Sequence, residues 1–268
     1  MCIRDRPADF IGLHFFSPVD KMPLVEIIRG EKTSDETVAR AVDVVQQIRK
    51  TPIVVNDSRG FFTSRVYGTL LTEAAALLDE GVDPQTIERA ATMAGFPAPP
   101  LAMLDEVSLT LTQHIRKATV EAAARDGVDL PDQPGTATID RMVDEFERLG
   151  KAAGAGFYDY PASDDKGARK RLWPGLREHF AREGVDVPLV DISDRYLFRM
   201  ALETVRCFDE GVIDSAAAAN IGSIMGIGFP PLHGGAVQFM QGYEGPTGTG
   251  LTGFVARARR GRRRTTGA

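Results

Sequence analysis

The sequence predicts a short α/β segment, the last strands of a larger sheet, followed by a mostly helical chain in which one helical unit occurs twice. Three observations predict this. Short apolar and β-branched runs at residues 11–16, 24–28 and 53–55 surround a single helical stretch, the strand–strand–helix–strand order of an α/β sheet. From Gly60 onward the apolar residues recur at helical rather than alternating spacing. D-E-G-V followed by G-F-P then occurs twice after the same kind of amphipathic helix, at Asp79-Glu80-Gly81-Val82 with Gly95-Phe96-Pro97 and at Asp209-Glu210-Gly211-Val212 with Gly228-Phe229-Pro230.

The first two runs, Ile11-Gly12-Leu13-His14-Phe15-Phe16 and Leu24-Val25-Glu26-Ile27-Ile28, are separated by a turn that Pro18 and Pro23 bracket. A chain that returns beside itself can place His14 and Glu26 on adjacent strands within hydrogen-bond reach. A carboxylate there would fix the imidazole tautomer and let the histidine act as a base near neutral pH. The alternative is a core histidine and a strand glutamate that never meet. Residues 33–50 read as a helix, with Thr33 or Ser34 as cap, Glu36 in the first turn and Val38, Ala41, Val42, Val45 and Ile48 as its apolar stripe.

Residues 62–79 carry Val66, Leu70, Ala74, Leu77 and Leu78 on one helical face. Asp83 and Pro84 open the next helix as cap and first position, and Gly95-Phe96-Pro97 ends it. Further helices are expected at 109–126 and 138–149. Residues 150–160, G-K-A-A-G-A-G-F-Y-D-Y, form a glycine-rich turn ending in aromatics, read either as a domain-closing turn or as an anion loop. Residues 161–170 are polar and suit a linker.

H-F-F-S-P, then L-V-E-I-I, then T-P-I-V-V-N-D-S-R-G-F-F-T-S-R together resemble the 3-hydroxyacyl-CoA dehydrogenase family, and most of all its form in the multifunctional alpha subunit of fatty-acid β-oxidation complexes. The resemblance implies a Rossmann-type NAD domain whose C-terminal part is residues 6–57, a first helical C-terminal domain at 58–160, a linker at 161–193 and a second helical repeat at 194–258. It implies NAD-dependent oxidation of a 3-hydroxyacyl-CoA to a 3-ketoacyl-CoA, with His14 as base and Glu26 as its partner. Ser17 falls where the monofunctional members place an asparagine near the nicotinamide, and Ser64 where an asparagine near the substrate carbonyl is common. Serine keeps a donor and an acceptor but reaches less far. Asp105 is read as structural. Residues 150–160 resemble the turn that closes the first helical domain. The implied partners are a thiolase beta subunit and a second copy of the chain. A helical dimerisation or thiolase-docking module, inactive by itself, is the alternative reading.

No G-x-G-x-x-G lies ahead of His14, so the phosphate-binding half of a dinucleotide domain is expected outside this chain, which then reads as an N-terminally truncated fragment without turnover of its own. At 268 residues, 43% hydrophobic and 26% charged, the composition is that of a globular chain. A net charge of −5 gives no general drive toward nucleic acid or an anionic membrane, and no apolar run reaches transmembrane length. Two cysteines form no disulfide framework, which suits a reducing, cytoplasmic setting. His114, His179 and His233 have no metal-ligand spacing, and no metal is expected. Arg257, Arg259, Arg260, Arg262, Arg263 and Arg264 make a basic end, read as a misread or truncated terminus rather than a nucleic-acid-binding tail.

Overall fold

A computed structural model describes residues 5–125, 127, 133–161 and 169–265, with side chains as far as residue 259. The chain forms two compact units, one of Met1–Thr69 with Leu197–Ala268 and one of Leu70–Tyr196.

The first unit holds a three-stranded sheet of β1 (Gly12–Phe15), β2 (Leu24–Arg29) and β3 (Thr51–Asn56), in the order β1-β2-β3. β1 runs antiparallel to β2, and β2 parallel to β3 across the helix α1 (Asp35–Gln47). Ser34 is the N-cap of α1, its side chain accepting from Thr37 N–H. The central strand β2 is buried along Leu24 to Ile28, as a strand covered on both faces must be. Val25 and Ile27 pack on Ala41 and Val45 of α1. Each such buried side chain contributes roughly 1.5–3 kcal/mol, against about 1 kcal/mol net for a hydrogen bond, so packing fixes which way β2 faces.

The opposite face of β2 carries Leu24 and Glu26. It meets α9 (Ala216–Ile227), where a Cβ on Gly222 would lie 2.7 Å from Ile53 and one on Gly226 2.6 Å from Leu24. Only hydrogen at these two positions lets the helix lie this close to the sheet. The end of β3 is tied to the second D-E-G-V turn, with Asn56 N–H donating to Val212 O at 2.9 Å and Asn56 Nδ2 to Gly211 O at 2.8 Å. Of the residues expected as a second helical repeat, 194–258, those from Leu197 on fall in the first unit. Its helices α8 (Leu189–Asp209, from Leu197 on), α9, α10 (Ala236–Gln241) and α11 (Gly250–Thr265) group with the sheet, because small residues on α9 fit the sheet face. The side chains from Arg260 to Arg264 lie outside the described residues.

The second unit is helical. α2 (Thr63–Asp79, from Leu70 on), α3 (Pro84–Ala94), α4 (Pro100–Val107), α5 (Leu109–Arg125) and α6 (Thr136–Asp140) follow one another. Asp83 caps α3 and Gly95 closes it in the left-handed conformation, as the residues predict. Helix α4 was not expected, because A-P-P reads as a breaker. Pro100 in fact sits at its first position, where the missing N–H costs nothing. The helix expected at 138–149 stops sooner. α6 passes into one wide π-type turn, Arg141–Glu145, and the chain leaves it at Phe146. The linker expected at 161–193 is also corrected in part. Residues 162–168 lie outside the described residues, but β5 (Arg171–Leu172) pairs with β4 (Tyr158–Asp159), and α7 (Gly175–His179) buries Leu176.

The two D-E-G-V turns share one backbone pattern. Glu80, Gly81 and Val82 N–H donate to Ala76, Leu78 and Leu77, while Glu210, Gly211 and Val212 donate to Arg206, Phe208 and Cys207. An arginine with two glutamates also recurs. In the first unit Arg65 binds Glu203 and, with two nitrogens, Glu210, and in the second Arg195 binds Glu73 and, with two nitrogens, Glu80.

Candidate functional site

β1 and β2 are in a register that makes His14 and Glu26 direct partners. On one face of an antiparallel pair such partners have their Cβ atoms within about 5.5 Å. The side chains complete the approach, with His14 Nδ1 2.8 Å from Glu26 Oε2. The expected hydrogen bond is present, and the reading in which the two never meet is excluded.

Glu26 is 0% exposed, and its carboxylate is met on every side by donors. Phe62 N–H and Thr63 N–H both reach Oε1 at 3.0 Å, and Thr63 Oγ1 reaches Oε2 at 2.6 Å beside His14. A carboxylate offers about four acceptor positions, and four donors occupy them. The two amides belong to the start of α2, so Glu26 also sits where the partial positive charge of a helix N-terminus favours an anion.

The loop ahead of α2 aims these amides. Gly60 and Phe61 both have left-handed backbone angles, φ 79° and 49°. For phenylalanine that conformation is strained by roughly 1–3 kcal/mol, a strain that persists only where surrounding contacts hold it. The Phe61 ring lies 5.9 Å from the His14 ring and the Phe16 ring 4.6 Å from it, centroid to centroid, so the imidazole is braced by two aromatics.

The ionised Glu26 can only accept, so His14 Nδ1 carries the hydrogen and Nε2 carries the lone pair. The imidazole is 29% exposed. Part of the ring therefore stays open to solvent while its partner is shut away from water. An imidazole so oriented can take a proton, and the buried carboxylate stabilises the imidazolium that forms.

Ser17 is exposed in the loop after β1, and Lys50 holds that loop by donating to Val19 O and Met22 O at 2.6 Å each. Ser64 is exposed in the first turn of α2, one residue past Thr63. Neither touches the His14–Glu26 pair through a hydrogen bond among those described. Thr63 and the strained Phe61 are the residues that sequence reasoning missed. The signal was a threonine directly after G-F-F, which reads as an ordinary helix start.

The glycine-rich turn proves to be closed on protein. Asp105 accepts Phe157 N–H at 2.8 Å, Tyr158 N–H at 2.9 Å and the Tyr160 hydroxyl at 3.0 Å. A Cβ on Gly156 would fall 1.9 Å from Asp105 Oδ1, so only glycine admits this approach. The amides that an anion would use are taken by Asp105, which leaves the domain-closing reading. Burial pushes the Asp105 carboxyl up to about 6 against these hydrogen bonds. Among the described residues, no group of three or more His, Cys, Asp or Glu side chains could hold a metal ion, and no helix is long and apolar enough to cross a membrane.

Two family models match this chain, the NAD binding domain of 3-hydroxyacyl-CoA dehydrogenase over residues 3–58 and the C-terminal domain of 3-hydroxyacyl-CoA dehydrogenase over residues 60–160. The fatty acid oxidation complex subunit alpha of Shewanella oneidensis is 38% identical over 235 residues, 88% of this chain and 32% of that protein. The subunit of the same description from Pseudomonas syringae is 37% identical over 257 residues, 94% of this chain and 34% of that protein. The chain thus spans about a third of the length of the curated relatives it matches. Among solved structures, 3-hydroxybutyryl-CoA dehydrogenase from Escherichia coli covers 98% of this chain with a TM-score of 0.70 at 18% identity, a likeness of fold, and the alignment takes in 68% of that protein. The (S)-3-hydroxybutyryl-CoA dehydrogenase of Ralstonia eutropha is 34% identical with a TM-score of 0.53, over 59% of this chain and 54% of that protein.

The matched NAD binding model calls for a dinucleotide. A pyrophosphate needs a glycine turn that leads from a strand into a helix N-terminus. The turn from β3 through Gly60 into α2 gives its Phe62 and Thr63 amides to Glu26, and no described residue is assigned to the pyrophosphate.

Proposed function

The chain belongs to the 3-hydroxyacyl-CoA dehydrogenase family, and on that premise we propose that it carries the proton-handling part of an NAD-dependent oxidation of 3-hydroxyacyl-CoA to 3-ketoacyl-CoA within a fatty-acid β-oxidation multifunctional protein. NAD supplies the hydride acceptor. What the chain's own residues do concerns the proton. His14 Nε2 takes the hydroxyl proton of the substrate as C3 becomes a carbonyl. Glu26, held by four donors, keeps the Nδ1 hydrogen in place and balances the charge on the imidazolium. Ser17 faces the nicotinamide side and Ser64 the substrate carbonyl.

One observation carries the reading, the 2.8 Å contact between a fully buried, fully hydrogen-bonded carboxylate and a partly exposed imidazole. A carboxylate placed only for stability has no need of a solvent-facing partner. The test is His14→Gln in the native polypeptide containing this chain. Turnover of a 3-hydroxyacyl-CoA should fall by ~10²–10⁴-fold with NAD affinity unchanged. Near-normal turnover would refute the assignment.

The helical units are proposed as two copies of one C-terminal domain, at 58–160 and 194–258. The matching D-E-G-V backbone bonds and the left-handed glycines Gly95 and Gly228 support this, as does the repeated Arg–Glu–Glu set. The alternative, a helical module that self-associates or docks a thiolase subunit in the cytoplasm without chemistry of its own, rests on the same helices. Unlike the enzyme reading, it gives the dyad no task.

A further inference from the structure

Glu26 receives four hydrogen bonds, but only two come from the backbone and would survive any side-chain change at the start of α2. His14 supplies a third. The fourth comes from the Thr63 hydroxyl, on Oε2, the same oxygen that faces His14. We propose that Thr63 is a positioning residue of the proposed reaction, its hydroxyl selecting the carboxylate oxygen offered to His14 and moderating the negative charge that His14 sees. This rests on the reading of His14 as the base.

Geometry and acceptor count give Thr63 this role. Thr63 is 0% exposed, so its hydroxyl has no water to turn to. Glu26 can only accept, so the hydroxyl hydrogen points at Oε2. Two donors on one oxygen share its charge, and removing one leaves more for the other. In wild type the hydroxyl therefore draws charge from the oxygen that would stabilise the imidazolium, and it holds that oxygen in line with Nδ1. The methyl group of Thr63 can be kept while the hydroxyl is removed, since valine has nearly the same shape.

The other ionisable groups around the pair do not compete for this role. Cys207 of α8 lies near, and burial pushes its thiol up to about 12, so it stays neutral. Arg65 of α2 is paired with Glu203 and Glu210. α9, which packs on the Glu26 face of the sheet, and the neighbouring strand β3 contain no ionisable residue, and the charged residues of α1 lie over the other face. Phe16 and Phe61 flank His14 itself.

The test compares wild type, Thr63→Val and Thr63→Ser, with Thr63→Ala as a second hydroxyl-free variant should valine prevent folding. Two readouts are taken on the native polypeptide containing this chain, the pH profile of kcat/KM for a 3-hydroxyacyl-CoA and the NMR titration of the His14 ring. The account expects Thr63→Val to move the acid limb and the ring titration upward together by about 0.5–1 pH unit, the size a single hydrogen bond carries. It expects kcat to fall severalfold with KM within twofold, and Thr63→Ser to restore both readouts. If Val and Ala titrate as wild type does, or if Ser behaves as Val does, the hydroxyl has no such role and the proposal is overturned. The ring titration does not depend on turnover, so the two failures are distinguishable: an active His14→Gln enzyme sinks the assignment of the base and this role with it, whereas an inactive His14→Gln enzyme with unshifted Thr63 variants sinks this inference alone.

Discussion

Glu26 in the sheet unit and Glu88 in the helical unit are both shut away from solvent, at 0% and 7% exposure, and they meet opposite fates. Glu26 is surrounded by donors and passes its influence to an imidazole that solvent can reach. Glu88 receives the Tyr158 hydroxyl at 3.1 Å and Ala102 N–H at 3.3 Å, both on Oε1, and its Oε2 has no hydrogen-bond partner. Burial pushes the Glu88 carboxyl up to about 8, which makes it an uncharged acid near neutral pH that caps the start of α4. Burial alone does not mark a working carboxylate. What marks it is a full set of donors, one of which faces outward.

Replacing each by glutamine should break the symmetry between them. Glu26→Gln keeps one acceptor oxygen for the two amides and turns an NH₂ toward His14 Nδ1–H and the Thr63 hydroxyl. Unfolding by denaturant should show a loss of at least ~2 kcal/mol, together with a large loss of turnover. If Glu26→Gln folds as stably as wild type, Glu26 is not the saturated anion described here.

A second variant tests whether the sheet-side packing holds the dyad. Gly226→Leu drives a side chain into Leu24 and toward the Phe16 ring that braces His14. Overpacking of this kind costs ~1–3 kcal/mol. Turnover should fall with it, since Phe16 must move. A stable variant with unchanged activity would show that α9 does not buttress the site.

The smallest effect is expected at Glu88. Its carboxyl has a raised value in the fold, so the folded state keeps a proton that the unfolded chain releases. Stability from this group is present in full below the unfolded carboxyl range and is lost as pH rises toward about 8. Glu88→Gln removes that loss. Its melting temperature should match wild type near pH 5 and exceed it at pH 8. A variant that is less stable at pH 8 would mean that the charged form is the one the fold prefers.

Much of this was legible in the residues, for identifiable reasons. The strand runs around His14 and Glu26 are continuous and apolar, and a single turn joins them, so the residues allowed their pairing and the resemblance to the family chose it over the reading in which the two never meet. The caps Ser34 and Asp83 carry side chains that signal helix starts directly. Other features left no such trace. Phe61 takes a left-handed backbone angle that its residue type disfavours, so propensity points away from it. α4 begins at a proline that looks like a stop. The approach of α9 to the sheet depends on Gly222 and Gly226, which in sequence only weaken a helix. The role of Thr63 depends on where Glu26 arrives from 37 residues away in the chain, which no local pattern encodes.

The central claim is that Glu26 holds His14 with its hydrogen on Nδ1 and its lone pair on Nε2. Nitrogen NMR of the ¹⁵N-labelled imidazoles reads this directly, with the His14 signals identified by their absence in His14→Gln. The account predicts that neutral His14 shows a protonated Nδ1 and an unprotonated Nε2, and that Glu26→Gln loses this preference. A neutral His14 protonated on Nε2 in the wild-type protein would contradict it, since no lone pair would then face the substrate.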